Sequence, residues 1–332
     1  MFKFHGHKIK KYVTKIDVIH INLTDESCSC YKAIQGLSDS EFQEVNVKNS
    51  KSKYNWKSKF LIQGRRITLL RINSGKEVHL NIEQPTRQLQ DILLSLFLKH
   101  KAKYILNYVE LAFDFYTETK DEARILQNSM IKTLIHKNNR HECEIKEYED
   151  GSRIFYSAKL KKDEPLPSKL TKLYIRPFAS QKTDKGVIPY PFVRMEESLR
   201  QRQISKFEWT VPLTSNQIRD ILTYKLIGFC EFKHKEFRKY ILKDKQKYLQ
   251  KEIETKSGRT IRDFCNVLMD QDMYVIIQFF KSVGLPYSRF LDYDALQDEN
   301  LLLGRALFEL HDYDVVPPQR VKIIKRRKSI IG

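Results

Sequence analysis

The segment Tyr108-Val109-Glu110-Leu111-Ala112-Phe113-Asp114-Phe115 constrains the fold of this chain more than any other. Side chains of an extended strand point alternately to opposite faces. Leu111, Phe113 and Phe115 therefore share one face, which belongs in a core, and Glu110, Ala112 and Asp114 share the other. The strand runs from Tyr104 to Tyr116, and its apolar face calls for a second layer to cover it.

Neighbouring segments supply the rest of such a fold. Lys15–Asn22 alternates apolar and polar residues, and Arg66–Ile72 with Glu77–Ile82 flanks a turn at Asn73-Ser74-Gly75-Lys76, which reads as a hairpin. A helix is expected from Pro85-Thr86, with Leu89, Ile92, Leu93, Leu96 and Phe97 in one stripe. Another is expected from about Thr119, with Asp121 and Glu122 in its first turn and Ala123, Leu126, Met130 and Leu134 on one face. Three further strands follow, Arg153–Ser157, Lys172–Arg176 and Phe192–Leu199. The order is β-α-β-α-β-β-β, an α+β fold with an antiparallel-rich sheet and helices on one face.

Beyond residue 212 the pattern is helical. Lys233–Lys256 reads as a Lys-rich helix with Phe237, Ile241 and Tyr248 interleaved, and Asn266–Val283 as a helix apolar nearly all round. Pro317-Pro318 breaks the chain before a basic tail. The expected division is 1–211, an α+β domain; 212–316, a helical DNA-binding or accessory domain; and 317–332, the tail.

Lys and Arg outnumber Asp and Glu by 60 to 41 over 332 residues, a net charge of +19. A polyanion partner accounts for such an excess, because each Lys or Arg that neutralises a phosphate releases a condensed counterion. Lys239, Lys243, Lys247 and, in the tail, Lys325, Arg326 and Arg327 are the expected phosphate contacts. No apolar run reaches the roughly 18 residues of a membrane span, and the first residues lack the apolar stretch of a signal peptide. Five scattered cysteines fit free thiols in a reducing compartment. A cytoplasmic protein with no membrane partner is expected.

Alternation downstream adds to the polar face. Tyr174 and Arg176 point away from Leu173 and Ile175, and Arg194 and Glu196 away from Val193 and Met195. If these strands share a sheet, one face displays Glu110, Asp114, Glu196, Arg176, Arg194 and Tyr174. Crowded carboxylates repel, and hard oxygen ligands suit Mg²⁺ or Mn²⁺. Such a metal polarises a phosphate oxygen, arginines hold phosphate in fork geometry, and a tyrosine supplies an oxygen nucleophile. A solvated outer face is the other reading of the same residues.

The run Tyr108–Asp114, then Arg153-Ile-Phe-Tyr-Ser157, Leu173-Tyr174-Ile175-Arg176 and Phe192–Leu199 resembles the replication initiation factor family, the rolling-circle initiators of plasmids and filamentous phages. The resemblance covers roughly residues 60 to 200. It departs from the family at Tyr108, usually arginine; Glu110, usually aspartate; and Arg176, usually lysine. It implies a metal-dependent nickase with Tyr174 as nucleophile and Glu110, Asp114 and Glu196 as ligands of Mg²⁺ or Mn²⁺. It also implies a replication origin, single- and double-stranded, as partner, with a host helicase and a second copy of the chain left open. A related class of initiators uses a His-x-His strand with a Tyr-x-x-Lys helix. Here only His5-Gly6-His7 offers the first, and Tyr240–Lys243 and Tyr248–Lys251 the second.

The alternative is an initiator or repressor that binds DNA without cutting it. Ile218–Leu226 or the stretch Lys281–Leu291 around Gly284 would then form a helix-turn-helix. An RNA-binding protein stacking Tyr and Phe on bases remains a third class.

Overall fold

The structure is a computed structural model. It describes residues 2–4, 6–39, 43–46, 53–136, 143–147, 153–159, 169–176, 182–183, 186–187, 191–207, 210–213, 217 and 227–297. The first half contains β1 (Phe2–Phe4), β2 (His7–Ile9), β3 (Lys11–Thr24), α1 (Ser29–Gln35), β4 (Gln43–Asn46), β5 (Trp56–Ile62), β6 (Arg65–Arg71), β7 (Glu77–Glu83), α2 (Arg87–Lys99) and β8 (Lys103–Tyr116). Then come α3 (Lys120–Thr133), β9 (Leu134–His136), β10 (Glu144–Glu147), β11 (Arg153–Tyr156), β12 (Lys169–Arg176), β13 (Lys182–Thr183), β14 (Gly186–Val187), β15 (Phe192–Arg200) and α4 (Gln201–Ile204).

Ten strands form one antiparallel sheet in the order β10-β11-β12-β15-β8-β3-β7-β6-β5-β4. The fold is α+β, with helical structure following the sheet. β8 and β3 lie at its centre, and each has 14 residues. The sheet is wider than the sequence patterns indicate: β4, β5 and β10 extend it at both ends. In β5 the core side is Ser58, Phe60 and Ile62, and a buried serine masks the alternation.

One sheet face carries Ile16, Ile19, Ile21, Leu23, Val109, Leu111, Phe113, Phe115, Val193 and Met195, all buried. Against it pack Leu89, Leu93 and Phe97 of α2 and Ala123, Leu126 and Met130 of α3. Both helices begin on a threonine cap. The Thr86 side chain accepts from the Leu89 N–H at 3.0 Å. Thr119 and Glu122 form a capping box, each side chain accepting the other's backbone N–H at 3.1 Å.

The helical part has its own core, built on Phe232, Phe237, Ile253, Phe264, Ile276, Phe280 and Phe290. Two expected helices are each divided. Lys233–Lys256 forms His234–Ile241 and Lys247–Ser257, because the Gln250 side chain donates to the carbonyls of Ile241 (2.7 Å) and Lys243 (3.2 Å) and so caps the first. Asn266–Val283 is broken between Ile261–Val267 and Met273–Ser282, where the chain turns at Asp270-Gln271-Asp272. After Gly284 (φ +70°) comes only a short 3₁₀ turn, Tyr287–Phe290, so no second helix of a helix-turn-helix follows there. The candidate Ile218–Leu226 and the tail with Lys325, Arg326 and Arg327 lie outside the described residues. No helix among the described residues is long and apolar enough to cross a membrane.

Candidate functional site

The polar face of the sheet is not a solvated one at its centre. Asp114 and Arg194 are fully buried, and Glu110 and Glu196 are nearly so. Buried charges need partners, because burial without them costs several kcal/mol per ion. The arrangement of strands supplies those partners.

β15 lies between β8 and β12. Arg194 stands opposite Asp114 on one side and Tyr174 on the other, and Glu196 opposite Ala112 and Lys172. The small Ala112 leaves space between Glu110 and Asp114. Arg194 grips Asp114 in a fork, Nε to Oδ1 at 2.6 Å and Nη2 to Oδ2 at 2.7 Å, and its Nη1 donates to Asp17 Oδ2 at 3.1 Å. Lys15 adds a second cation, 3.6 Å from Asp114 and 3.7 Å from Asp17. Burial disfavours the Arg194 charge, yet the hydrogen bonds and charge of Asp114 outweigh it and hold the guanidinium firmly protonated.

Beside this pair lies a trio. Asp17, Glu110 and Glu196 each offer a carboxylate oxygen, and these oxygens lie within 4.8 Å of one another. A hard divalent cation fits such a donor set, so the cluster could hold a metal ion. Lys172 Nζ sits against two of its members, 3.4 Å from Glu110 Oε2 and 3.1 Å from Glu196 Oε2. Tyr108 donates to Glu110 Oε2 at 2.5 Å, and the Tyr174 hydroxyl donates to Glu196 Oε1. Burial, and then the charge of Glu196, raise the Glu110 carboxyl above its ordinary range. Burial followed by Glu110 raises the Tyr108 phenol, which keeps its proton. Lys172 is held charged by Glu196 and Glu110 in spite of burial.

Asp17 reaches this site through a β-bulge. β3 pairs with β8 as Ile16↔Leu111 and then Val18↔Glu110, so Asp17 is an extra residue with no opposite number. A bulge re-aims a side chain and bends the strand. The Asp17 backbone is anchored by its carbonyl, which accepts from the Gln84 N–H at 2.7 Å.

The residues expected from sequence thus divide. Glu110, Glu196 and Tyr174 are brought together. Asp114 stands outside the trio, locked to Arg194, and Asp17 takes the third place. Arg194 is closed off from solvent and committed to carboxylates, which does not suit it to holding a phosphate. Arg176 pairs with Phe192 in the register, and its side chain lies outside the described residues. Lys239, Lys243 and Lys247 are exposed, around the junction of the helices His234–Ile241 and Lys247–Ser257. His7 is tied to Ser129 at 3.2 Å, and His5 lies outside the described residues.

Asp17, Lys172 and Tyr108 escaped the alternation argument, though each left a trace. Ile16 and Ile19 are both core residues three apart, a phase slip that marks a bulge. Lys172 shares the parity of Tyr174, and Tyr108 that of Glu110. Compared with known proteins, the chain matches no protein-family profile and no curated sequence.

Proposed function

We propose that this chain is a rolling-circle replication initiator that nicks and rejoins one DNA strand by metal-dependent tyrosine transesterification. The observation that carries the reading is the Tyr174 hydroxyl hydrogen-bonded to Glu196, a member of the carboxylate trio. A nucleophile, a proton acceptor and a cation-binding set meet at one point on a rigid sheet, as phosphodiester chemistry requires.

Asp17, Glu110 and Glu196 would hold Mg²⁺ or Mn²⁺, which polarises a phosphate oxygen when bound. Glu196 takes the proton of Tyr174. The phenolate oxygen attacks phosphorus, the bond from phosphorus to the 3′ oxygen breaks, and that oxygen takes a proton from water. The products are a 5′-phosphotyrosine and a free 3′-OH. Lys172 balances charge beside the reacting groups. An origin in single- and double-stranded form is the partner under this reading, and Lys239, Lys243 and Lys247 track its phosphates.

One observation favours binding without cutting. Lys15, Lys172 and Arg194 already face Asp17, Glu110, Asp114 and Glu196, leaving a single negative charge without any metal. The deciding experiment incubates the protein with a randomised single-stranded DNA pool and Mn²⁺, then resolves products on a denaturing gel. A covalent protein–DNA adduct is expected, lost with EDTA and with Tyr174→Phe, while Tyr174→Phe still shifts DNA on a native gel. No adduct from the wild type, or one that survives Tyr174→Phe, overturns the nicking reading.

A further inference from the structure

We infer that Lys172 stands in for the metal ion, and that a divalent cation enters the carboxylate trio by displacing the Lys172 ammonium from Glu110 and Glu196. This rests on the metal-binding part of the reading above and adds how the metal gains entry. Lys172 Nζ lies 3.4 Å from Glu110 Oε2 and 3.1 Å from Glu196 Oε2. Those two residues, with Asp17, are the donor set, so ammonium and metal compete for the same carboxylates. Two cations that share ligands at such distances also repel each other.

Among the described residues, the other two cations facing these carboxylates are placed differently. Arg194 forks onto Asp114, which stands outside the trio, and Lys15 lies 3.6 Å from the same carboxylate. Lys172 is paired with members of the trio and not with Asp114. Exposure separates the three further. The Arg194 side chain is 0% exposed and that of Lys15 11%, against 28% for Lys172. A lysine ammonium on a flexible four-carbon stem can leave for water while the stem stays packed. The enclosed Arg194 guanidinium has no such route.

Charge favours exchange over addition. Asp17, Glu110, Asp114 and Glu196 face Lys15, Lys172 and Arg194, which leaves one negative charge. A divalent cation added beside Lys172 turns this into one positive charge at a largely buried place. The same cation exchanged for Lys172 leaves the site neutral, and buried charge is costly where it has no partner. A monovalent cation gains nothing, because it replaces one positive charge by another. The displaced ammonium stays on the face of β12 that also carries Tyr174.

The test uses the full chain without DNA, so it does not depend on nicking. Wild type is pulsed with acetic anhydride in EDTA or in saturating Mn²⁺, and acetylated lysines are mapped by mass spectrometry. Acetylation of Lys172 should rise at least about fivefold with Mn²⁺ as its ammonium moves from carboxylates to water, with exposed Lys239 as the unchanged reference. Mn²⁺ is also titrated into wild type and Lys172→Met by electron paramagnetic resonance. The variant keeps an apolar stem without the charge and should bind at least about tenfold more tightly, because no ammonium competes for the carboxylates. Mn²⁺ bound with no rise at Lys172, or with unchanged affinity in Lys172→Met, overturns the exchange and leaves the nicking reading standing. Mn²⁺ bound only by Lys172→Met overturns it as well, making Lys172 a permanent occupant. If neither protein binds Mn²⁺, the exchange falls with the metal site, whereas the lack of a Tyr174 adduct removes the nicking reading and leaves the exchange in place.

Discussion

Arg194 and Asp114 are a fully buried ion pair in a bidentate arrangement, with Lys15 and Asp17 at its margin. Removing one partner of such a pair leaves the other charged and unsolvated, at a cost of about 3–5 kcal/mol. Asp114→Asn is expected to lower stability by that amount in guanidinium denaturation; a loss below about 1 kcal/mol would show that the pair is not under this constraint. His20 gives a pH signature. Burial, then His79 and Arg200, lower its pKa from 6.5 to about 4. The unfolded chain binds the proton first as pH falls. The stabilisation is therefore complete above about pH 6.5 and is lost progressively towards pH 4. His20→Gln should flatten this acid limb by about 3 kcal/mol between pH 7 and 4, read from denaturation midpoints. Residue identities at the site were half legible. Parity placed Glu110, Glu196 and Tyr174 on one face. It could not say which carboxylates would meet, because Arg194 draws Asp114 away through a contact 80 residues distant in the chain.

The decisive element is β3, and in it the bulge at Asp17. A regular strand would have kept Asp17 in the alternation and changed the face of every residue on one side of it. The extra residue lets Ile16 and Ile19 both reach the core while Asp17 joins Glu110 and Glu196. Its backbone bond to Gln84 does not depend on the side chain, so Asp17→Asn should keep the fold. The same change should weaken Mn²⁺ binding at least about tenfold, measured by titration with electron paramagnetic resonance, because hard cations prefer charged oxygen ligands. Unchanged Mn²⁺ affinity would remove Asp17 from the donor set. α3 supports the site from the other side of the sheet, since it packs under β12 and β15. Thr119→Ala breaks its capping box and should cost about 1 kcal/mol, detected by thermal unfolding. That helix was readable from Thr119, its acidic first turn and its apolar stripe. The division of the Lys-rich helix was not, because a single side chain, Gln250, ends it.

For the whole molecule the net charge of +19 sets how nucleic acid would be held. Affinity for a polyanion should fall steeply with salt, at about 0.7 to 0.9 logarithmic units per phosphate neutralised for each tenfold rise in salt. Replacing Lys239, Lys243 and Lys247 together with Gln should reduce that slope by about 2 to 3 in fluorescence anisotropy. No change in slope would mean that these exposed lysines touch no phosphate. The α+β class, the long central strand, its core face and the helical character beyond residue 212 follow from the sequence by itself, because strand and helix periods are local properties that a short window contains. The width of the sheet, the pairing of Asp114 with Arg194, the entry of Asp17 and the contacts of Tyr108 with Glu110 and of Tyr174 with Glu196 were decided only by tertiary structure. Each depends on register between strands far apart in the chain and on the demand of every buried charge for a partner, and no local pattern encodes either.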